Sequence, residues 1–118
     1  MVDKALPPAS RLGATATIVQ FSSAFCQPCR ATRQTVHRVV DELLRESPHA
    51  HGIEVIEIDA DDHLDLTRAW RIESTPTVIF LSGDGEEVVR ATGQPRTADV
   101  VAALARAMEA AAGQTSGP

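Results

Sequence analysis

The sequence has very few aromatic residues: three phenylalanines, one tryptophan and no tyrosine in 118 residues. Hydrophobic residues still make up 43% of the chain, so the core must be built mainly from valine, isoleucine, leucine and alanine. Positive charge is also scarce, since 11 basic residues face 16 acidic ones and the formal net charge is −5. No basic cluster is present, which argues against a nucleic-acid partner, because binding a phosphate backbone requires lysine or arginine side chains.

Long apolar runs are absent as well. No stretch approaches the roughly 20 apolar residues needed to span a bilayer, and the N-terminus has no apolar core of the signal-peptide kind. The length suits one domain with a single modest core. We therefore expect a cytoplasmic single-domain protein, unless an anchor or an export signal precedes Met1.

Only two cysteines are present, Cys26 and Cys29, with Gln27 and Pro28 between them. The pair follows the apolar run 17–21 and opens a long segment with helical periodicity, so it lies at a strand-to-helix turn. Unpaired backbone N–H groups and the positive end of the helix dipole favour the thiolate form of the first cysteine. The second cysteine, one turn further on, lies within bonding distance. The spacing therefore supplies an attacking thiolate and an internal thiol that displaces it from a mixed disulfide.

Two other interpretations of the cysteine pair remain open at this point. A purely structural disulfide over so short a loop would constrain little chain entropy and so would stabilise the fold very little. A structural zinc site usually needs four ligands, and the sequence has no second cysteine pair. Only the four histidines could complete such a site: His37, His49, His51 and His63.

Periodicity and turn residues predict seven elements in the order β-α-β-α-β-β-α. The predicted strands are 15–21, 53–58, 77–82 and 86–91; the predicted helices run from Pro28 to about Arg45, from Asp59 to about Arg71, and onward from a cap at Thr97. The inner residues expected on the second helix are Leu64, Leu66 or Thr67, and Trp70; those on the third are Val100, Val101, Leu104 and Met108. We expect an N-terminal arm over 1–14, one domain over 15–112 and a disordered tail over 113–118.

This order is accompanied by sequence motifs that point to one family. They are the Cys-Gln-Pro-Cys motif within Phe25–Arg30, the Ser-Thr-Pro-Thr segment 74–77 at the head of an apolar strand, the Gly-Asp-Gly turn 83–85, and Gly93. With them the chain resembles the thioredoxin superfamily over residues 15 to 108. The resemblance implies an α/β thioredoxin-like fold, here with a trimmed, mixed, four-stranded sheet in the spatial order 53–58, 15–21, 77–82, 86–91 and with helices on both faces.

The resemblance also implies roles for individual residues. Cys26 would be the nucleophile and Cys29 the resolving thiol, so the redox-active disulfide would serve in place of a separate cofactor or metal. Pro76 would follow a cis bond and lie against the cysteines. Thr75 would offer backbone groups to an extended substrate segment, and Gly93 would let the substrate backbone approach, although it also suits a loop position that needs positive φ.

Five positions depart from the usual pattern of the family. Phe25 stands where the family usually has Trp, and keeps an apolar lip for substrate beside the cysteines. Gln27 replaces a Gly in the motif that Pro28 completes, and adds a side chain beside the nucleophile. Gln20 stands where an Asp is usually buried beneath the resolving cysteine, Val55 where its Lys partner is placed, and Ser22 where another Trp is frequent.

The resemblance implies a thiol-disulfide oxidoreductase that reduces protein disulfides, because Gln-Pro between the cysteines is more similar to the reducing members. Its partners would be disulfide-bearing proteins and a thioredoxin-reductase-type or membrane electron donor, and we expect a monomer. The alternative is a redox sensor or binding module with little turnover, which the missing buried carboxylate favours because nothing built in would accept the proton of the resolving thiol.

Overall fold

The computed structural model describes residue 6, residues 10–47 and residues 51–116, with side-chain surroundings given as far as residue 110. Most of the predicted arm, His49 and the last two residues of the predicted tail therefore lie outside the described residues. The elements are β1 (Ala16–Ser22), α1 (Gln27–Glu46), β2 (Ile53–Asp59), α2 (Leu64–Ala69), β3 (Thr77–Ser82), β4 (Glu87–Thr92) and α3 (Thr97–Ser116).

The four strands form one mixed sheet in the order β2-β1-β3-β4, which confirms the predicted fold class and strand order. β1 and β2 are parallel, joined through α1, and Ala16 lies opposite Ile53. β3 is antiparallel to both β1 and β4, and the ladder between β3 and β4 is irregular at Phe80 and Leu81. β1 is thus a central strand, and every one of its residues is buried.

Alternation along the central strands divides the core into two clusters on opposite faces of the sheet. On one face, Ile18 and Phe80 pack with the inner residues of α1 and α3. On the other face, Phe21 and Ile79 pack with Trp70, which follows α2. Helices therefore cover both faces, and a core of mostly aliphatic residues results, as the composition predicts.

The segment after β2 differs from its prediction. A helix from Asp59 was wrong, because Asp59 continues the strand opposite Ser22 and its carboxylate then accepts the N–H of Asp61 at 2.9 Å in a turn. The helix α2 starts only at Leu64, whose predicted inward position was also wrong, since 56% of the residue is exposed. Trp70 follows the helix and is fully buried, as predicted.

The last helix departs from the sequence prediction at its start and on one face. Thr97 is its first helical residue and not a cap; the carboxylate of Asp99 accepts the N–H of Arg96 at 3.1 Å instead. Val101 is 52% exposed, so its predicted burial was wrong, while Val100 and Leu104 are buried. The helix runs to Ser116, past the predicted domain end at residue 112. Within the part of the chain that the structure describes, no helix is long and apolar enough to cross a membrane.

Candidate active site

The two cysteines lie at the junction of β1 and α1 and are joined by a disulfide, with their Cα atoms 5.2 Å apart. Cys26 has extended backbone angles and caps α1, and its Sγ accepts the backbone N–H of Cys29 at 3.1 Å. Pro28 fits the first turn because a proline there forfeits no helical hydrogen bond. Cys26 is half-buried, whereas Cys29 is only 1% exposed. One sulfur of the pair is accessible and the other is shielded.

The residues around the accessible sulfur form an exposed rim. Phe25 immediately precedes it, is fully exposed and has a φ of 59°, in the left-handed region that bulky residues rarely adopt. Backbone strain of this kind persists where the surrounding structure holds it, often at functional sites. Gln27 and Pro28 follow at the start of α1 and are exposed as well. The structure therefore brings these three sequence-predicted residues together around Cys26.

Gln20 lies beneath the cysteines, as predicted, and is 2% exposed. Its amide Nε2 donates to the carbonyl oxygen of Cys29 and to the hydroxyl oxygen of Ser22, both at 2.9 Å. Position 20 therefore presents a hydrogen-bond donor to the first turn of α1. Val55, on the neighbouring strand, packs against the apolar cluster.

The segment before β3 is joined to the loop that leads to the cysteines. The Thr75–Pro76 bond is cis, and Pro76 is buried. The hydroxyls of Thr75 and Ser23 are 2.9 Å apart, which joins this segment to the loop that leads to Cys26. The carbonyl of Pro76 accepts the N–H of Gly93 at 2.9 Å. Gly93 has a φ of 88° and open space where a Cβ would lie, so its conformation, and not crowding, favours glycine there.

A polar cleft of about 370 Å³ opens beside the accessible sulfur. In it the guanidinium of Arg33 donates two hydrogen bonds to the carboxylate of Glu57, at 2.7 and 2.6 Å. These bonds lower the pKa of the Glu57 carboxyl against the opposing effect of partial burial, and the Ser22 hydroxyl lowers it further. The lining residues are Ser22, Ser23, Ala24, Phe25, Cys26, Arg30, Arg33, Glu57 and Asp59.

The Arg33–Glu57 ion pair and the Ser23–Thr75 contact were not predicted from the sequence. Glu57 did have one signal in the sequence. Ile53, Val55 and Glu57 alternate onto one face of β2. Glu57 therefore faces α1 at a position where the strand pattern predicts an apolar residue. No comparable signal marked Ser23. Among the described residues, no group of three or more histidine, cysteine, aspartate or glutamate residues is placed to hold a metal ion.

A family model described as a thioredoxin-like domain matches residues 2–108. Thioredoxin from Mycoplasma genitalium is 32% identical over 81 residues, which is 68% of this chain and 72% of that protein. Thioredoxin H4-1 from Oryza sativa subsp. japonica is 36% identical over 90 residues, covering 75% of this chain but 63% of the rice protein.

Solved thioredoxin structures have a similar fold. Chloroplastic thioredoxin z superposes with a TM-score of 0.67 at 25% identity, over 82% of this chain and 80% of the other. Fasciola hepatica thioredoxin superposes with a TM-score of 0.65 at 22% identity, over 80% of this chain and 82% of the other. Several curated relatives are longer: the chain spans about half of the tobacco H-type protein, 54% of its length.

Proposed function

Because the chain belongs to the thioredoxin superfamily and is a thiol-disulfide oxidoreductase of the thioredoxin type, we propose that it reduces disulfide bonds in protein substrates. Its redox group is its own cysteine pair. The observation that supports the direction of attack is the difference in exposure between the two sulfurs, since Cys26 is half-buried and Cys29 is 1% exposed. An incoming disulfide therefore meets Cys26 first.

The proposed reaction has two exchanges. The Cys26 thiolate attacks one sulfur of the substrate disulfide, forms a mixed disulfide and releases the other substrate sulfur as a thiolate. Cys29 then loses its proton and attacks Cys26, which forms the internal disulfide and releases the second substrate sulfur. The substrate gains two electrons and the cysteine pair loses two, so a reductase-type or membrane electron donor must return them.

We propose that substrate binds across the rim and the segment before β3. The exposed ring of Phe25 offers an apolar contact, and the backbone groups of Thr75 pair with an extended substrate segment. Pro76 has no backbone N–H, so that position offers no competing donor. Gly93 keeps the adjacent surface open, because it has no side chain. Gln27 projects beside the nucleophile, where its side chain limits which substrates fit.

Reduction of insulin disulfides, with dithiothreitol as the electron source, tests this proposal. We expect precipitation of the insulin chains well above the dithiothreitol background, and no acceleration by Cys26→Ser. Cys29→Ser should instead accumulate a mixed disulfide with insulin, because the resolving thiol is missing. A wild-type protein that binds insulin without accelerating its reduction would contradict the proposal.

The direction of electron flow is tested separately. Equilibration against glutathione buffers, with alkylation of the remaining thiols, gives the reduction potential of the pair. We expect a value in the range of cytosolic reductants, about −270 mV for thioredoxin itself, and not near −120 mV as in a strong oxidant.

One observation favours the alternative of a redox sensor with little turnover. Gln20 presents a donor and not a proton acceptor to the first turn of α1, so the resolving step has no buried carboxylate to assist it. The insulin assay separates the two functions, because a sensor cycles between dithiol and disulfide without accelerating precipitation.

A further inference from the structure

An apolar groove of about 350 Å³ lies between α1 and α3, on the face of the sheet that these two helices cover. Its apolar lining residues are Val39, Leu43, Val101, Leu104, Ala105 and Met108. Val101 is 52% exposed, and Leu43 and Met108 are only partly buried. Apolar side chains that are grouped on a surface and remain in contact with water mark a place where another molecule binds.

Three glutamates line the same groove: Glu42 and Glu46 of α1 and Glu109 of α3. All three are exposed, and no basic side chain among the described residues forms an ion pair with any of them. Arg45 and Arg106, on the same two helices, do not line the groove. Because α1 ends at Glu46, the negative end of its dipole also favours a cation here. The groove therefore combines an apolar lining with negative charge.

We propose that this groove is a docking surface for a basic amphipathic helix of a partner protein. The apolar face of that helix lies in the groove, and lysine or arginine side chains on its flanks meet the three glutamates. Complementary charge of this kind gives specificity and speeds association. Val39 is 13 residues after Cys26, which places the groove about 20 Å along α1 from the accessible sulfur. Docking therefore leaves the cysteine pair free to react.

The backbone of the groove determines that the partner segment is helical. The groove is formed by two helices, whose backbone N–H and C=O groups bond within each helix. It therefore has no sheet edge with which an extended segment could pair. Backbone groups that become buried need hydrogen-bond partners, and a helix supplies them internally. Its anchors then recur every three or four residues on one side.

The chain itself does not supply this occupant. Leu6, in the N-terminal segment, packs against the apolar cluster on the opposite face of the sheet. Residues 113–118 contain neither a basic nor a large apolar side chain. A second copy that docked through the same groove would bring three more glutamates against the first three, and like charges disfavour such pairing. The partner is therefore a different protein with a basic segment.

Two synthetic peptides, each labelled with fluorescein, test the docking surface on the whole chain. One is an amphipathic helix of about 18 residues, or five turns, with leucine at every third or fourth position and lysine on the flanks. The other has glutamate in place of each lysine. Fluorescence anisotropy measures binding of both. We expect the lysine peptide to bind about tenfold more tightly than the glutamate peptide, because only its charge complements the groove.

The variants Val101→Lys and Ala102→Lys separate the groove from the overall charge of the chain. Both add a lysine at an exposed position of α3, where lysine is a good helix former, but only residue 101 lines the groove. We expect Val101→Lys to weaken binding of the lysine peptide about tenfold, because it places a like charge inside the groove. Ala102→Lys should change the affinity by less than about twofold.

Neutralising the carboxylates gives a second test. The combined variant replaces Glu42, Glu46 and Glu109 by glutamine, and we expect it to bind the lysine peptide about tenfold more weakly. A matched control neutralises three exposed carboxylates that do not line the groove: Glu54→Gln, Asp61→Asn and Asp84→Asn. This control has the same net charge as the combined variant and should bind as the wild type does. Urea unfolding shows that each variant is folded.

Several outcomes would overturn the inference. Equal weakening by a groove variant and its control would show that the peptide responds to net charge alone. Equal affinity for the two peptides, or no binding of the lysine peptide at millimolar concentration, would remove the proposed partner chemistry. A wild-type dimer in analytical ultracentrifugation that Val101→Lys alone converts to a monomer would identify a second copy as the occupant. Insulin reduction by the same variants should be unchanged, so a failure of the proposed function stays distinguishable.

Discussion

The side-chain amide of Gln20 donates a hydrogen bond to the carbonyl oxygen of Cys29 at a distance of 2.9 Å. This bond links β1, a central strand of the sheet, to the first turn of α1. It also means that the position beneath the resolving cysteine holds a group that cannot accept a proton at neutral pH. With Cys29 in its proposed resolving role, we expect that step to depend on water, hydroxide or added base, and its rate to rise with pH after Cys26 is fully ionised.

Gln20→Asp should speed the resolving step at neutral pH by supplying a proton acceptor. We expect a gain of about tenfold, or 1.4 kcal/mol of barrier, which lies at or below the usual range for a positioned base. The fold should lose stability, because the carboxylate is buried without a cationic partner and faces the Cys29 carbonyl. The rate is measured with an aromatic disulfide, dithiobis-nitrobenzoate: Cys26 releases one coloured nitrothiobenzoate thiolate, and the resolving attack by Cys29 releases the second in a single turnover. Gln20→Asn is the control, since it matches aspartate in size without the charge, and an equal gain in both variants would show that packing is responsible.

The two cysteines should differ in their reactivity in the reduced protein. Cys26 caps the helix and is accessible, whereas Cys29 is 1% exposed, so brief iodoacetamide treatment at neutral pH should label Cys26 alone. Peptide mapping by mass spectrometry identifies the labelled residue. Faster labelling of Cys29 would reverse the assignment of nucleophile and resolving thiol.

The contact between Ser23 and Thr75 should matter for protein substrates and not for small ones. Thr75→Val removes one hydroxyl of a pair 2.9 Å apart and frees the segment before β3 from the loop that leads to Cys26. The net value of one such hydrogen bond corresponds to a few-fold change in affinity, so we expect the KM for insulin to rise about threefold. The rate with the aromatic disulfide should not change.

Thr92→Val is the matched control for this experiment, because Thr92 is exposed at the end of β4. Thr75→Val and Thr92→Val each replace a hydroxyl group by a methyl group of similar size. A similar rise in KM for both would show that the Ser23–Thr75 contact has no specific role.

The ion pair between Arg33 and Glu57 should make the stability of the fold depend on pH. The pKa of Glu57 is lower in the folded protein, chiefly because of the hydrogen bonds from Arg33. Its contribution is therefore fully present above the unfolded pKa of glutamate, about 4.3, and is lost as the pH falls through the lower folded value. At pH 7 we expect Glu57→Gln to lower the free energy of unfolding by about 0.5 kcal/mol, because an ion pair in contact with water stabilises a fold only slightly.

Urea unfolding at a series of pH values measures this effect. The difference in free energy of unfolding between wild type and Glu57→Gln should be constant above about pH 5 and should shrink toward zero below about pH 4. Glu54→Gln should show no such trend. A difference that persists in acid would mean that Glu57 contributes through packing and not through its charge.

The parts of the structure that could be predicted from sequence are those in which local pattern and burial agree. β1 is a short apolar run because both of its faces are covered, and α1 begins directly after Cys26 because Pro28 fits only the first turn of a helix. Burial was predicted wrongly where an apolar residue on a helix is not packed against another element. Leu64 and Val101 continue a helical pattern, yet no other element of the described residues covers them fully, and a sequence does not show where coverage by other elements ends.

The polar contacts of the site were harder to predict for a different reason. Arg33 and Glu57 are 24 positions apart, and Ser23 and Thr75 are 52 apart. Side chains this distant along the chain meet only because the parallel and antiparallel ladders of β1 fix their relative positions. Charged and hydroxyl side chains are common on surfaces, so apart from the place of Glu57 in the alternation of β2, nothing in the sequence distinguishes these four residues from their neighbours.

Phe25 has a consequence for how much stability the free protein can have. A bulky residue in the left-handed backbone region costs roughly 1–2 kcal/mol relative to its preferred conformation, and its ring is fully in contact with water. A glycine at this position would relieve that backbone strain, so the free protein would be more stable without the aromatic ring that we propose contacts the substrate. The stability of the free protein and the proposed substrate contact therefore favour different residues at position 25.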